Sequence, residues 1–157
     1  MAKEIEIETR IGRRVIDPET MIHFPRGLAG FEEAHDFILL PLRPDAPMLI
    51  LQSVEKPEVG LLVADPYSFL PDIPVSVGDA ERKLLGIDDV SQAAVLVTVS
   101  IPPGSPQDAT LNLTGPIVIN SAERVGLQIP QGIEDMTQIR LRDLEKLREK
   151  GQPEQAR

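Results

Sequence analysis

At 157 residues the chain is long enough for one domain with a real core. With 41% hydrophobic but only 3% aromatic residues, that core must be built from Ile, Leu and Val. The lack of cysteine excludes a disulfide framework and a thiolate zinc site. A net charge of −9 disfavours a phosphate-binding surface, and the longest apolar runs, such as residues 93–97, are far too short to span a bilayer.

Residues 4–9 alternate strictly. Ile5, Ile7 and Thr9 fall on one face, and Glu4, Glu6 and Glu8 on the other, which predicts a half-buried strand with a negative solvated face. Further short strands are predicted over residues 13–16, 21–24, 37–42, 48–54, 60–64 and 73–77. Others follow over residues 93–101, 110–113, 117–120 and 125–129. Most of the 15 prolines, among them Pro18, Pro25, Pro44, Pro57, Pro71 and the pair Pro102 and Pro103, fall between these runs and punctuate them. Turn signals about every ten residues argue for a mainly β fold, a small antiparallel barrel or sandwich.

Two helices are expected. Asp79 can cap a short internal one over residues 80–85, stopped by Gly86. A C-terminal helix is predicted to begin near Asp135, which has capping-box spacing to Gln138, and to run to about Lys150 before Gly151 and Pro153. The expected organisation is therefore a barrel-like domain over 1–132, a helix over 133–150 and a disordered tail over 151–157. The first residues are charged, so no signal peptide is expected.

Charge is uneven along the chain. Residues 1–137 carry 10 Lys and Arg against 21 Asp and Glu, whereas residues 138–157 carry 6 against 4. Between Pro44 and Glu81 a single base, Lys56, faces seven acids. Such a surface attracts basic partners, or simply keeps the domain soluble.

No reactive constellation emerges. The two histidines, His23 and His35, match no metal spacing, and His23 alternates with Ile22 and Phe24, so it should point away from the core. The neighbouring acids Glu32 and Glu33, and Asp88 and Asp89, should splay into solvent. No enzyme activity, cofactor or metal is therefore expected. Direct nucleic-acid binding is disfavoured too, since the basic residues cluster only near the C-terminus and Tyr67 is the sole tyrosine. Asn112, Asn120 and Gln52, each set among aliphatics, can either satisfy strand ends and turns or offer amides to a peptide.

The least generic string runs from Ile22 through His23-Phe24-Pro25-Arg26-Gly27-Leu28-Ala29-Gly30-Phe31 to Glu32. Pro25 fixes φ and removes a donor, Gly27 and Gly30 permit unusual backbone, and Leu28 and Phe31 force the loop back onto the core. It resembles the F-P-x-G-L-x-G-F-E segment of the FliW flagellar assembly factors. Leu51-Gln52-Ser53-Val54-Glu55, then Leu61-Leu62-Val63-Ala64-Asp65-Pro66, are similar to the family's L-Q-S-V-E and hydrophobic-D-P elements. The run from Ala109 to Asn120 resembles T-x-N-L-x-x-P-I-V-I-N. These blocks cover most of residues 4–128. After Asn120 only Leu127-Gln128-Ile129 approximates the family's glutamine-led strand, and nothing beyond Gln131 is matched.

The resemblance implies a non-catalytic cytoplasmic protein that binds flagellin and antagonises the translational regulator CsrA, coupling flagellin translation to assembly. Partner-binding residues are expected at Glu55, Glu58, Asp65 and Asp72, with Asn112 and Asn120, and a structural turn at Pro25, Gly27 and Gly30. A barrel holding a small apolar ligand, or an acidic adaptor for another basic partner, remains the alternative; a large internal cavity would favour the former.

Overall fold

The computed structural model describes residues 4–41, 48–68, 75–105, 108–131 and 138–140. Its centre is a meander of seven strands: β3 (Ile22–His23), β4 (Asp36–Pro41), β5 (Met48–Ser53), β6 (Gly60–Ala64), β7 (Ala94–Ser100), β8 (Thr110–Asn120) and β9 (Val125–Gln128). Each pairs antiparallel with the next, and β3 meets β9 to close a barrel. Seven is odd, so the first and last strands of an alternating meander point the same way. The closing pair is accordingly parallel, a single bridge between His23 and Val125.

The barrel strands read as near-continuous apolar runs because many are covered on both faces. Phe37, Leu39, Leu49, Leu51, Leu61, Val63, Leu96, Ile117 and Ile119 form one cluster with Ile22 and Phe24, filling the interior. The intervening Ile38, Leu40 and Ile50 pack under Ile7, Ile11 and Ile16 of a separate hairpin, β1 (Ile5–Thr9) and β2 (Gly12–Ile16). Helix α1 (Asp79–Leu85) covers the outside of β8 and β9, placing Leu85 and Ile87 against Val118 and Leu127. Phe24 and Phe37 meet edge to face at 5.3 Å inside the closure.

Four expectations need correction. The runs over residues 110–113 and 117–120 are one strand, β8, because Pro116 sits where the pairing with β7 skips between Leu96 and Thr98; an irregularity needs no ladder donor. The cap of α1 is Gly78 rather than Asp79, which is the first helical residue and bonds Arg82 instead. Of the strand expected over 73–77, residues 75–77 join no ladder among the described residues: Gln131 both accepts from Ser76 N (2.8 Å) and donates to Ser76 O (3.0 Å); residues 73–74 lie outside the described residues. Residues 138–140, expected as helix, form β10 (Gln138–Arg140), which pairs with Thr110–Asn112 of β8. Here an available strand edge overrides local helix signals. The rest of that expected helix, and the tail, lie outside the described residues.

Candidate functional site

The segment from Phe24 to Asp36 builds one wall of a groove at the end of the barrel where β5 leaves and β6 begins. Phe24 is fully buried and Leu28 nearly so, which pins the turn to the core. Gly27 at φ +65 and Gly30 at φ +85 turn the chain between them, and Leu28 and Phe31 bond each other's backbone. A Cβ on Gly27 would lie 2.6 Å from Glu32 O, so the chain doubles back too closely for a side chain there. The far end is tied twice: Phe24 N donates to His35 O at 2.7 Å, and His35 Nδ1 donates to Phe24 O at 2.8 Å. His23, exposed as expected, lies 3.0 Å from Asp36 Oδ1.

The opposite wall is the turn from Ser53 to Val59. Gln52 is fully buried at its base; its Nε2 donates to Ser53 O (3.0 Å) and Pro57 O (3.1 Å), and its Oε1 accepts from Arg10 N. Glu55 Oε1 accepts from His35 N and Asp36 N at 3.3 and 3.2 Å, clipping the two walls together. Between them lies an open groove of about 510 Å³. Glu32, Glu33 and Glu58 line it against one Lys56, and Phe31, partly exposed, adds an apolar wall. Lys56 Nζ sits 3.5 Å from Glu33, an exposed pair that leaves the groove net negative.

Of the expected binding residues, Glu58 lines this groove, and Glu55 ties its two walls together. Asp65 lies at the other end of β6, roughly 20 Å of strand away. There its Oδ1 accepts from Tyr67 N, and burial, then the Asp65 charge, push the Tyr67 hydroxyl pKa up. Asp72 lies outside the described residues. Asn120 is buried; its Nδ2 donates to Leu85 O at 2.7 Å while Oδ1 accepts from Ala122 N and Glu123 N. Asn112 Oδ1 accepts from Thr114 N and Oγ1. Both amides therefore serve strand ends and turns inside the fold. By sequence Glu32 and Glu33 read as solvated acids; the fold of the glycine turn places them in one wall of the groove.

Arg26, in the same turn, reaches α1 and donates to Glu81 at 3.1 Å, which holds the Glu81 pKa below its ordinary value. Among the described residues no group of three or more His, Cys, Asp or Glu is arranged to hold a metal, and no helix is long and apolar enough to cross a membrane.

Comparison with known proteins agrees with this architecture. A family model described as FliW protein matches residues 6–142. The flagellar assembly factor FliW of Desulfovibrio desulfuricans is 58% identical over 156 residues, covering 98% of this chain and 94% of its own. That of Nitratidesulfovibrio vulgaris is 62% identical over 128 residues, covering 82% and 74%. A crystal structure of the flagellar assembly factor FliW superposes with a TM-score of 0.79 at 32% identity, over 87% of this chain and 96% of that one. With its closed seven-stranded barrel, glycine turn and family-wide match, the chain belongs to the FliW family of flagellar assembly factors.

Proposed function

We propose that this flagellar assembly factor acts by binding rather than by catalysis, taking flagellin in the cytoplasm and, when flagellin is scarce, the translational regulator CsrA. The observation that carries the reading is the groove between the glycine turn and the 53–59 turn. Three carboxylates face one ammonium there beside a partly exposed Phe31, which suits a basic, partly apolar protein surface. An RNA-binding regulator carries basic surface, so CsrA is the partner this electrostatic character fits best.

Family membership supports the assignment to flagellar assembly, and the filled barrel interior disfavours the small-ligand alternative. The deciding experiment is titration calorimetry of the purified protein with monomeric flagellin and, separately, with CsrA. A saturable complex with each, of micromolar affinity or about −8 kcal/mol, is expected. No heat and no co-elution with either at high concentration would reject the reading.

A further inference from the structure

The barrel wall has a gap beside the short strand β3, lined by none of the residues of the acidic groove. Strand β3 is only two residues long and pairs with β4 at Phe37 and Asp36 alone. Beyond Phe37, from Ile38 to Pro41, β4 pairs only with β5, and no other strand of the described residues lies along its second edge. A hollow of about 300 Å³ opens there, walled by Ile22, Leu39, Ala94 and Ile119, with Thr20 and Arg124 at the rim. The barrel core behind it is packed, with Phe37, Leu51, Val63 and Ile117 fully buried, so the hollow is a mouth and not an entrance to a cavity.

The rim carries charge of one sign. Arg124 is exposed, and among the described residues its guanidinium makes no hydrogen bond or ion pair, although its carbonyl accepts from His23 N at 2.9 Å. In a protein of net charge −9, that leaves a cation beside an apolar mouth and an open strand edge. These three features call for different parts of one ligand. A strand edge takes backbone hydrogen bonds, a shallow apolar hollow takes one aliphatic side chain, and a lone guanidinium takes a carboxylate.

We propose that this gap is a peptide-docking site, taking an extended segment of a partner protein that adds to the β4 edge, inserts an aliphatic side chain between Ile22, Leu39 and Ile119, and sets an acidic residue on Arg124. A fatty acid fits less well, because its acyl chain needs an enclosed apolar site, whereas this mouth is shallow and backed by a packed core. The site prefers acidic, aliphatic segments, opposite in charge to the partner surface that the acidic groove suits. It therefore stands whichever protein that groove binds.

The test is selection of a random decapeptide library displayed on phage against the full-length protein, followed by fluorescence polarisation with the enriched peptides after synthesis and labelling. Peptides carrying an aliphatic residue with an Asp or Glu within three positions are expected to enrich. Ala94→Phe fills the mouth from an exposed position and is expected to weaken their binding at least tenfold. Arg124→Asn keeps a residue type that tolerates the φ of +55 and is expected to equalise the affinities of each acidic peptide and its Asp→Asn counterpart. Thermal melts of both variants establish that they fold, and backbone chemical shifts along β4 report docking independently of either variant. Enrichment without an acidic preference, binding indifferent to Ala94→Phe in a folded protein, or no selectable peptide would overturn the proposal. So would self-association through this face, or displacement of the peptides by decanoate at equal concentration.

Discussion

The backbone N–H of Arg10 donates to Gln52 Oε1 at 3.0 Å, joining the tip of the first hairpin to the floor of the acidic groove. Arg10 Nη1 adds a second bond to Gly60 O at 2.7 Å. One fully buried amide thus satisfies three backbone groups from two segments, that of Arg10 in the first hairpin and those of Ser53 and Pro57 in the 53–59 turn.

Replacing Gln52 by Leu keeps its bulk but leaves those three groups without their partner. A buried unsatisfied group costs about 1–3 kcal/mol, and partial rehydration of the Arg10 and Pro57 groups should hold the total near 3 kcal/mol. Urea unfolding should show a lower midpoint, and hydrogen exchange should accelerate first in the β1–β2 hairpin. An unchanged midpoint would mean that the amide is not a structural tie.

The two turn glycines should differ. Gly27→Ala must accept φ +65 and also push a methyl group to 2.6 Å from Glu32 O, whereas Gly30→Ala at φ +85 meets nothing within 4 Å. The open site should lose roughly 1 kcal/mol, from backbone conformation alone, and the crowded one distinctly more. Melting curves of the two variants test the order; equal losses would place the whole effect in φ.

The Arg26–Glu81 contact predicts a pH dependence. The Glu81 pKa is lowered chiefly by the hydrogen bond from Arg26, so its folded value lies below its ordinary 4.5. The contact's contribution is then present above the unfolded pKa and disappears as pH falls through the folded one. Arg26→Gln should be less stable than the parent at pH 7, and the gap should narrow below about pH 4. A gap that stays constant in urea midpoints down to pH 3 would refute the coupling.

For the groove, charge reversal of Glu33 with Glu58 should slow association with a basic partner, about tenfold at low salt, more than it speeds dissociation. The parent's on-rate should fall as salt shortens the electrostatic reach to about 8 Å at physiological ionic strength. Both side chains are exposed, so the melt should barely move. Glu55→Lys is different: it removes the acceptor of His35 N and Asp36 N and should lower stability as well. Stopped-flow rates indifferent to both salt and reversal would put the interface elsewhere.

How much of this was legible in the sequence follows from range. Most strand positions between residues 5 and 64 are legible, because alternation and turn residues act over a few positions; β6 falls at residues 60–64 as expected. Closure is not, since nothing local announces that Val125 lies beside His23. The continuity of β8 through Pro116 was hidden for the same reason: a proline reads as a boundary unless the bulge it sits in is known. The site was half legible. The glycine turn stood out by composition, while its pairing with the 53–59 turn depends on Glu55 reaching backbone groups some twenty positions earlier.

The parallel bridge that closes the barrel also constrains how the molecule comes into being. Neighbouring strands can pair one after another along the meander, the longest link being the one from Ala64 to Ala94 that carries α1. The final seam cannot form until β9 has been synthesised, and it then rests on one bridge to a two-residue strand. Until that seam forms, Ile22 lacks the cover that Ile117 and Ile119 share with it in the closed core. Folding should be limited by this last long-range step, and a chain truncated before Val125 should be collapsed yet readily cut by protease.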